Sequence, residues 1–166
     1  MNLEIREATL DDVEALIGYA AQLFAEDLPG VYRRGTPTVD EEIEFVCARI
    51  EPANSTLLLA LADSEIIGLI DFVGNAHPEE AHAGVFGLSV SRERRGEGIG
   101  TALIEALLAW APSHGIARIE ARAFSTNPGA IALYERMGFE REGSCRRAVM
   151  RDGVGIDVVI LARLFD

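Results

Sequence analysis

Basic residues are scarce in this sequence. Only 15 stand against 27 acidic ones, for a net charge of −12. A phosphate backbone needs basic surface, so nucleic acid is excluded as a main partner. The surplus of carboxylates suits an amine, which an acidic field attracts, and it also serves solubility. Long apolar runs are missing too. None exceeds about six residues, Leu57 to Ala62 being typical, against the ~20 that a membrane span requires. Residues 1–7 have neither the basic region nor the apolar stretch of a signal peptide. Cysteine occurs only twice. Cys47 and Cys145 lack metal-type spacing, which predicts buried thiols in a reducing cytosol and no bound metal. No repeat, low-complexity tract or interdomain linker appears. The 166 residues are therefore expected to form one domain, 1–166, with a full core.

What is present is concentrated between Ser91 and Thr101. An apolar, β-prone run from Val85 to Val90 leads into this stretch. Ile99, Leu103, Ala106, Leu107 and Trp110 follow at three- and four-residue steps, which predicts a helix. Between them lie Arg92, Arg94 and Arg95, the densest basic cluster in the chain, and three alternate glycines, Gly96, Gly98 and Gly100. Glycine lets the backbone approach a ligand closely. The first turn of a helix leaves N–H groups unpaired and carries partial positive charge, so strand, glycine-rich turn and helix start make a place for phosphate. A tight connection without a ligand has the same composition. The turn has no lysine, so it is not a P-loop. The dinucleotide pattern G-x-G-x-x-G fails because Thr101 or Leu103 occupies the place of its last glycine.

What remains, Arg95-x-x-Gly98-x-Gly100, resembles the coenzyme A pyrophosphate loop of the Gcn5-related N-acetyltransferase (GNAT) superfamily. A second segment is similar to that superfamily's N-x-x-A-x-x-x-Y-x-x-x-G-F: Asn127, Ala130, Tyr134, Gly138, Phe139. His82-x-Gly84 and Glu142-Gly143 further resemble its single-domain bacterial members. The likeness runs from Ile5 to the closing apolar strand.

The rest of the chain reads in order. Leu3 to Ala8 is a strand. Thr9 and Asp12 form a capping box for a helix through Ala25, and Thr38 and Glu41 one for a helix ending near Ile50. The intervening stretch, with two prolines and two glycines, is loop. Thr56–Asp63 and Ile66–Val73 pair as a hairpin. Ile116–Phe124 is a strand, and a short helix starts after Asn127 and ends at Gly138. Phe139–Val149 and Gly155–Leu164 make a last hairpin around Asp152 and Gly153. The fold class is α/β (α+β): a mixed, mainly antiparallel sheet of six to seven strands with about four helices.

The resemblance implies acetyl-CoA as co-substrate and an amine, small or on a protein, as acceptor. It assigns Leu88, Val90, Arg95, Gly96, Gly98, Ile99, Gly100, Thr101, Asn127 and Tyr134 to the cofactor. Tyr134 lies near the thioester sulfur as the acid that protonates the leaving thiolate, and a backbone N–H at Leu88 or a neighbour is the oxyanion donor. The fourth and fifth strands are expected to splay, so that pantetheine fills the gap like a borrowed strand, and Gly87 suits a bulge there. An amine is almost wholly protonated near neutral pH, so a base or proton-relay water is useful. Glu120 and His82 are the base candidates, with Glu80 a third; each also suits a salt bridge or a solvated position. The helix–loop–helix near the N-terminus covers the acceptor site, where Glu26, Asp27 and Tyr32 are able to hold an ammonium. A homodimer through the C-terminal hairpin or a sheet edge is expected. The rival reading is an acyl-CoA-binding sensor without turnover.

Overall fold

The computed structural model describes residues 2–166. Its order is β1 (Leu3–Glu7), α1 (Val13–Ala25), α2 (Val39–Ile50), β2 (Thr56–Ala62), β3 (Glu65–Gly74), β4 (Ala83–Val90), α3 (Ile99–Trp110), β5 (Arg118–Phe124), α4 (Pro128–Arg136), β6 (Glu140–Arg151) and β7 (Val154–Leu164). All seven strands join one sheet in the order β1-β2-β3-β4-β5-β7-β6. Every pairing is antiparallel except β4 with β5.

Local chemistry sets the element ends. Both capping boxes form: Thr9 with Asp12 before a 3₁₀ turn that runs into α1, and Thr38 with Glu41 at the start of α2. The β2–β3 turn puts Asp63 and Ser64 at positive φ, and the β6–β7 turn does the same with Asp152 and Gly153. Two consecutive left-handed residues match the right-handed twist of a hairpin. Gly138 closes α4 at φ +86°.

Strand periodicity divides the core between the two sheet faces. Leu57, Leu59, Leu61 and Ile66 pack under α1 and α2 with Val13, Leu16, Tyr19 and Val46. Alternate residues such as Ile70, Phe72, Phe86, Ile119 and Ala121 pack under α3 and α4 with Leu103, Leu107, Ile131 and Tyr134.

Two expectations change. Cys145 is exposed on β6 and Cys47 is only partly covered on α2. Cys145 lies between Ser144 and Arg146 on a stretch of β6 exposed on both faces, whereas buried Val46, next to Cys47, belongs to the other face of α2. Nor does β4 bulge at Gly87: its ladder with β3 runs unbroken from Gly74↔Gly84 to Gly68↔Val90. The glycine serves a close approach instead, because a Cβ there would lie 2.6 Å from Asp71 Oδ1.

Candidate active site

The site begins where β4 and β5 part. Their parallel ladder has four pairs and ends at Phe86↔Ala121. Beyond it β4 stays on β3 as far as Val90, and β5 stays on β7 as far as Phe124. The two strands therefore diverge with their outer edges held. Peptide groups alternate in direction along a strand. The His82 carbonyl accepts from Ala117 and Arg118 on the β5 side, whereas the Ser91 N–H donates to Ile67 on the β3 side. By that alternation Leu88 and Val90 aim their N–H groups into the opening.

At its wide end the opening meets the 91–101 stretch. A 3₁₀ turn spans Arg92–Arg94, and Gly96 and Gly98 adopt φ of +82° and +83°. Open space surrounds both, so it is backbone conformation that demands glycine there. Gly100 has an ordinary φ and sits near Leu88, Val90 and Leu133. Thr38 caps α2 and Asn127 caps α4, but α3 starts at Gly98 with no side-chain cap and no acidic residue in its first turn. Among the described residues the N–H groups of residues 96–101 find no acceptor. Such a run of bare donors at a helix N-terminus fits a pyrophosphate. Ile99 is buried in the core, so only its backbone takes part in that run.

Arg95 turns elsewhere. Its Nη1 and Nη2 donate to Glu26 at 2.7 and 2.9 Å, and its Nε to the Val90 carbonyl at 3.1 Å. Arg95 thus fastens the turn to the end of α1, while Arg94 reaches only Glu97 within the turn.

Tyr134 stands at the vertex of the opening. Its ring meets Phe86, a member of the last β4–β5 pair, edge-on with centroids 5.1 Å apart. Burial pushes its phenol up to about 12. Among the described residues the hydroxyl has no hydrogen-bond partner, yet no fully buried side-chain oxygen there lacks one, so it reaches accessible space. Asn127 caps α4 by accepting from the Ala130 N–H at 3.3 Å.

The base candidates are not brought together. Glu120 shares the α1–α2 face with Arg122, and each of its oxygens meets a guanidinium: Arg122 Nε at 2.8 Å and Arg118 Nη2 at 3.2 Å. His82 is exposed at the start of β4, six residues or about 20 Å from Leu88 along the strand. Glu80 lies in a surface 3₁₀ turn.

Three relationships had no sequence signal, because each joins distant segments. Asp71 on β3 leans over Gly87 and accepts from Arg49 Nε at 2.7 Å. Tyr19 on α1 shares a 2.9 Å hydrogen bond with Ser89 on β4. The α1–α2 loop is pinned from the other end of the chain. Arg151 donates to the Leu28 and Val31 carbonyls at 2.7 and 2.6 Å, and Arg33 bridges Asp27 and Asp152. Tyr32 of that loop stands edge-on to Phe124, centroids 5.0 Å apart, at the mouth of the opening. Among the described residues no helix is long and apolar enough to cross a membrane, and no cluster suits a metal.

Known proteins share this fold and part of this sequence. The chain is 28% identical over 108 residues to an L-amino acid N-acetyltransferase of Escherichia coli (strain K12), covering 64% of this chain and 67% of that one. It is 28% identical over 116 residues to an L-methionine sulfoximine/L-methionine sulfone acetyltransferase of Pseudomonas paraeruginosa, covering 69% and 67%. A GNAT-family acetyltransferase from Streptococcus pneumoniae superposes with a TM-score of 0.92 at 25% identity, covering 99% of this chain and 100% of that one. A phosphinothricin acetyltransferase from Sinorhizobium meliloti, solved with acetyl-CoA, shares the fold at 0.87 and 21% identity, covering 99% and 89%. The sequence pattern of the acetyltransferase (GNAT) family matches residues 17–139, which take in the opening, the bare helix start and Tyr134. The chain belongs to that family and is an acetyl-CoA-dependent N-acetyltransferase.

Proposed function

We propose that this single-domain enzyme moves the acetyl group directly onto the amino group of an amino acid while both substrates are bound. The observation that carries the reading is the opening between β4 and β5, with Leu88 and Val90 offering N–H groups along one edge. Bare N–H groups at 96–101 would hold the pyrophosphate, and the strand edge would pair with the pantetheine amides. The co-substrate supplies the activated acetyl thioester; the chain supplies position and proton transfers.

The Leu88 N–H stabilises the carbonyl oxygen as it gains charge. An N–C bond forms and the C–S bond breaks, and Tyr134 gives its phenolic proton to the departing sulfur. The surplus proton of the ammonium leaves through water to Glu120, whose two oxygens lie against Arg118 and Arg122, and the proton that nitrogen loses on attack restores the Tyr134 phenol. His82 has no step here. An amino acid as acceptor is supported by the names of two relatives and by charges of both signs on the α1–α2 face, where Asp71, Arg49 and Arg122 stand near the opening.

The test is free-thiol release from acetyl-CoA with single L-amino acids, a polyamine and a peptide amine, with products identified by mass spectrometry. Acetylation of L-amino acids is expected. Coenzyme A binding with no thiol release from any amine would overturn the reading. Two unlinked thiols, one exposed, support a reducing cytoplasmic setting. The free edge of β6 supports a homodimer, and light scattering that finds only 18.0 kDa at micromolar concentration would refute it.

A further inference from the structure

On the α1–α2 face of the sheet, Gly87 is the first β4 residue past the last β4–β5 pair. Its partner on β3 is Asp71. The missing Cβ at Gly87 lets the Asp71 carboxylate lie over that strand, toward the opening and away from β2. Arg49 fixes its direction. The guanidinium donates to Asp71 Oδ2 at 2.7 Å and to the Phe45 carbonyl at 3.0 Å, and lies 3.7 Å from the Phe45 ring centroid. With Oδ2 engaged, Oδ1 has no hydrogen-bond partner among the described residues. No fully buried side-chain oxygen among the described residues is orphaned, so Oδ1 meets accessible space.

Other carboxylates around the opening are committed. Glu120 is held by two arginines, Glu26 by Arg95, and Asp27 and Asp152 by Arg33. Asp71 is also only 16% exposed, so an ion pair made there is weakly screened. Leu88, next along β4, aims its N–H into the opening. An amino group on Oδ1 would therefore stand one residue from that donor, across the sheet from Tyr134.

We propose that Asp71 is the acceptor-binding carboxylate, receiving the substrate's amino group on Oδ1 while Arg49 holds Oδ2. This rests on the acetyltransferase reading above. An amine N–H donates to the carboxylate whether or not the nitrogen is charged, so the contact persists after the nitrogen loses its proton and keeps the lone pair directed at the acetyl carbon. Arg49 is a positioning residue, and Glu42 is the other charged group of α2 in its field.

The test uses the full chain with acetyl-CoA and the L-amino acid that releases thiol fastest. Asp71→Asn should raise KM for that amino acid about 10- to 100-fold, the usual effect of losing a charged hydrogen bond. KM for acetyl-CoA and calorimetric coenzyme A affinity should stay within about twofold. Gly87→Ala drives a methyl against Oδ1 and should raise the amine KM while the carboxylate remains, which keeps the test open if Asp71→Asn folds poorly. Arg49→Lys, keeping the cation, should lie between wild type and Asp71→Asn. An unchanged amine KM in folded Asp71→Asn or Gly87→Ala overturns this assignment alone. Absence of thiol release by wild type with every amine overturns the acetyltransferase reading, and Asp71 with it.

Discussion

Arg95 and Glu26 form a two-bond ion pair, Nη1–Oε2 at 2.7 Å and Nη2–Oε1 at 2.9 Å, between the glycine-rich turn and the end of α1. The arginine next to the proposed phosphate site is thus already neutralised by a protein carboxylate. Arg95→Ala should weaken coenzyme A binding by less than about tenfold, in line with a partly exposed arginine already paired to a carboxylate. Glu26→Gln should shift affinity by a similar or smaller factor. A hundredfold loss in Arg95→Ala by calorimetry would mean that its guanidinium leaves Glu26 for the ligand.

Gly98 should be far less replaceable. At φ +83° a β-branched residue is strained even though the space around it is open. Gly98→Val should cost about 1–3 kcal/mol of stability and disrupt the bare N–H run, with severe loss of coenzyme A affinity. Gly100→Ala should change both little, because φ is ordinary and the new methyl would meet side chains no closer than 3.5 Å. Melting curves with and without ligand separate the two variants.

Tyr134→Phe keeps the ring against Phe86 and removes a proton donor. Turnover should fall roughly 10²–10⁴-fold with coenzyme A affinity nearly unchanged. A packing role alone predicts near-normal turnover. Burial holds the phenol near 12, so it stays protonated across the working range. The wild-type rate should rise with pH as the amine deprotonates, with no falling limb between about pH 6 and 10. A limb descending from pH 8 would assign the acid to another group.

Asp12 is a stability prediction. The Arg6 guanidinium, at 2.8 and 2.9 Å, and the Thr9 amide hold its carboxyl below the usual range. A depressed carboxyl stabilises the fold above its unfolded-state pKa and loses that effect as pH falls through the folded one. Asp12→Asn should therefore cost about 1 kcal/mol at pH 7, and the gap from wild type should close in acid. A gap that widens below pH 4 in chemical denaturation would contradict this.

Much of the fold was legible because its signals are local. Thr9 with Asp12, Thr38 with Glu41, and Asp152 with Gly153 each specify a turn or helix start within four residues. The glycine-rich turn was legible for the same reason, and Tyr134 was singled out through the resemblance of residues 127–139 to the family's segment. The contact of Arg95 with Glu26 gave no local sign, because its partner lies 69 residues away. Asp71 gave no sign at all. A lone aspartate in an apolar strand acquires its role only from register, which sets it against Gly87 where the neighbouring strand departs. Cys145 is uncovered because it stands between Ser144 and Arg146 on the outermost strand, where neither face is packed.

The clasp of Arg151 and Asp152 on the α1–α2 loop bears on how this enzyme can be re-engineered. Residues 27–33 are shaped by groups that the chain supplies some 120 positions later, so the loop has no fixed form of its own to transplant. A chimera that exchanges only residues 26–38 for those of a relative would present the new side chains on an unmoored support. Selectivity should travel between homologues only when the tip of the β6–β7 hairpin is exchanged along with the loop.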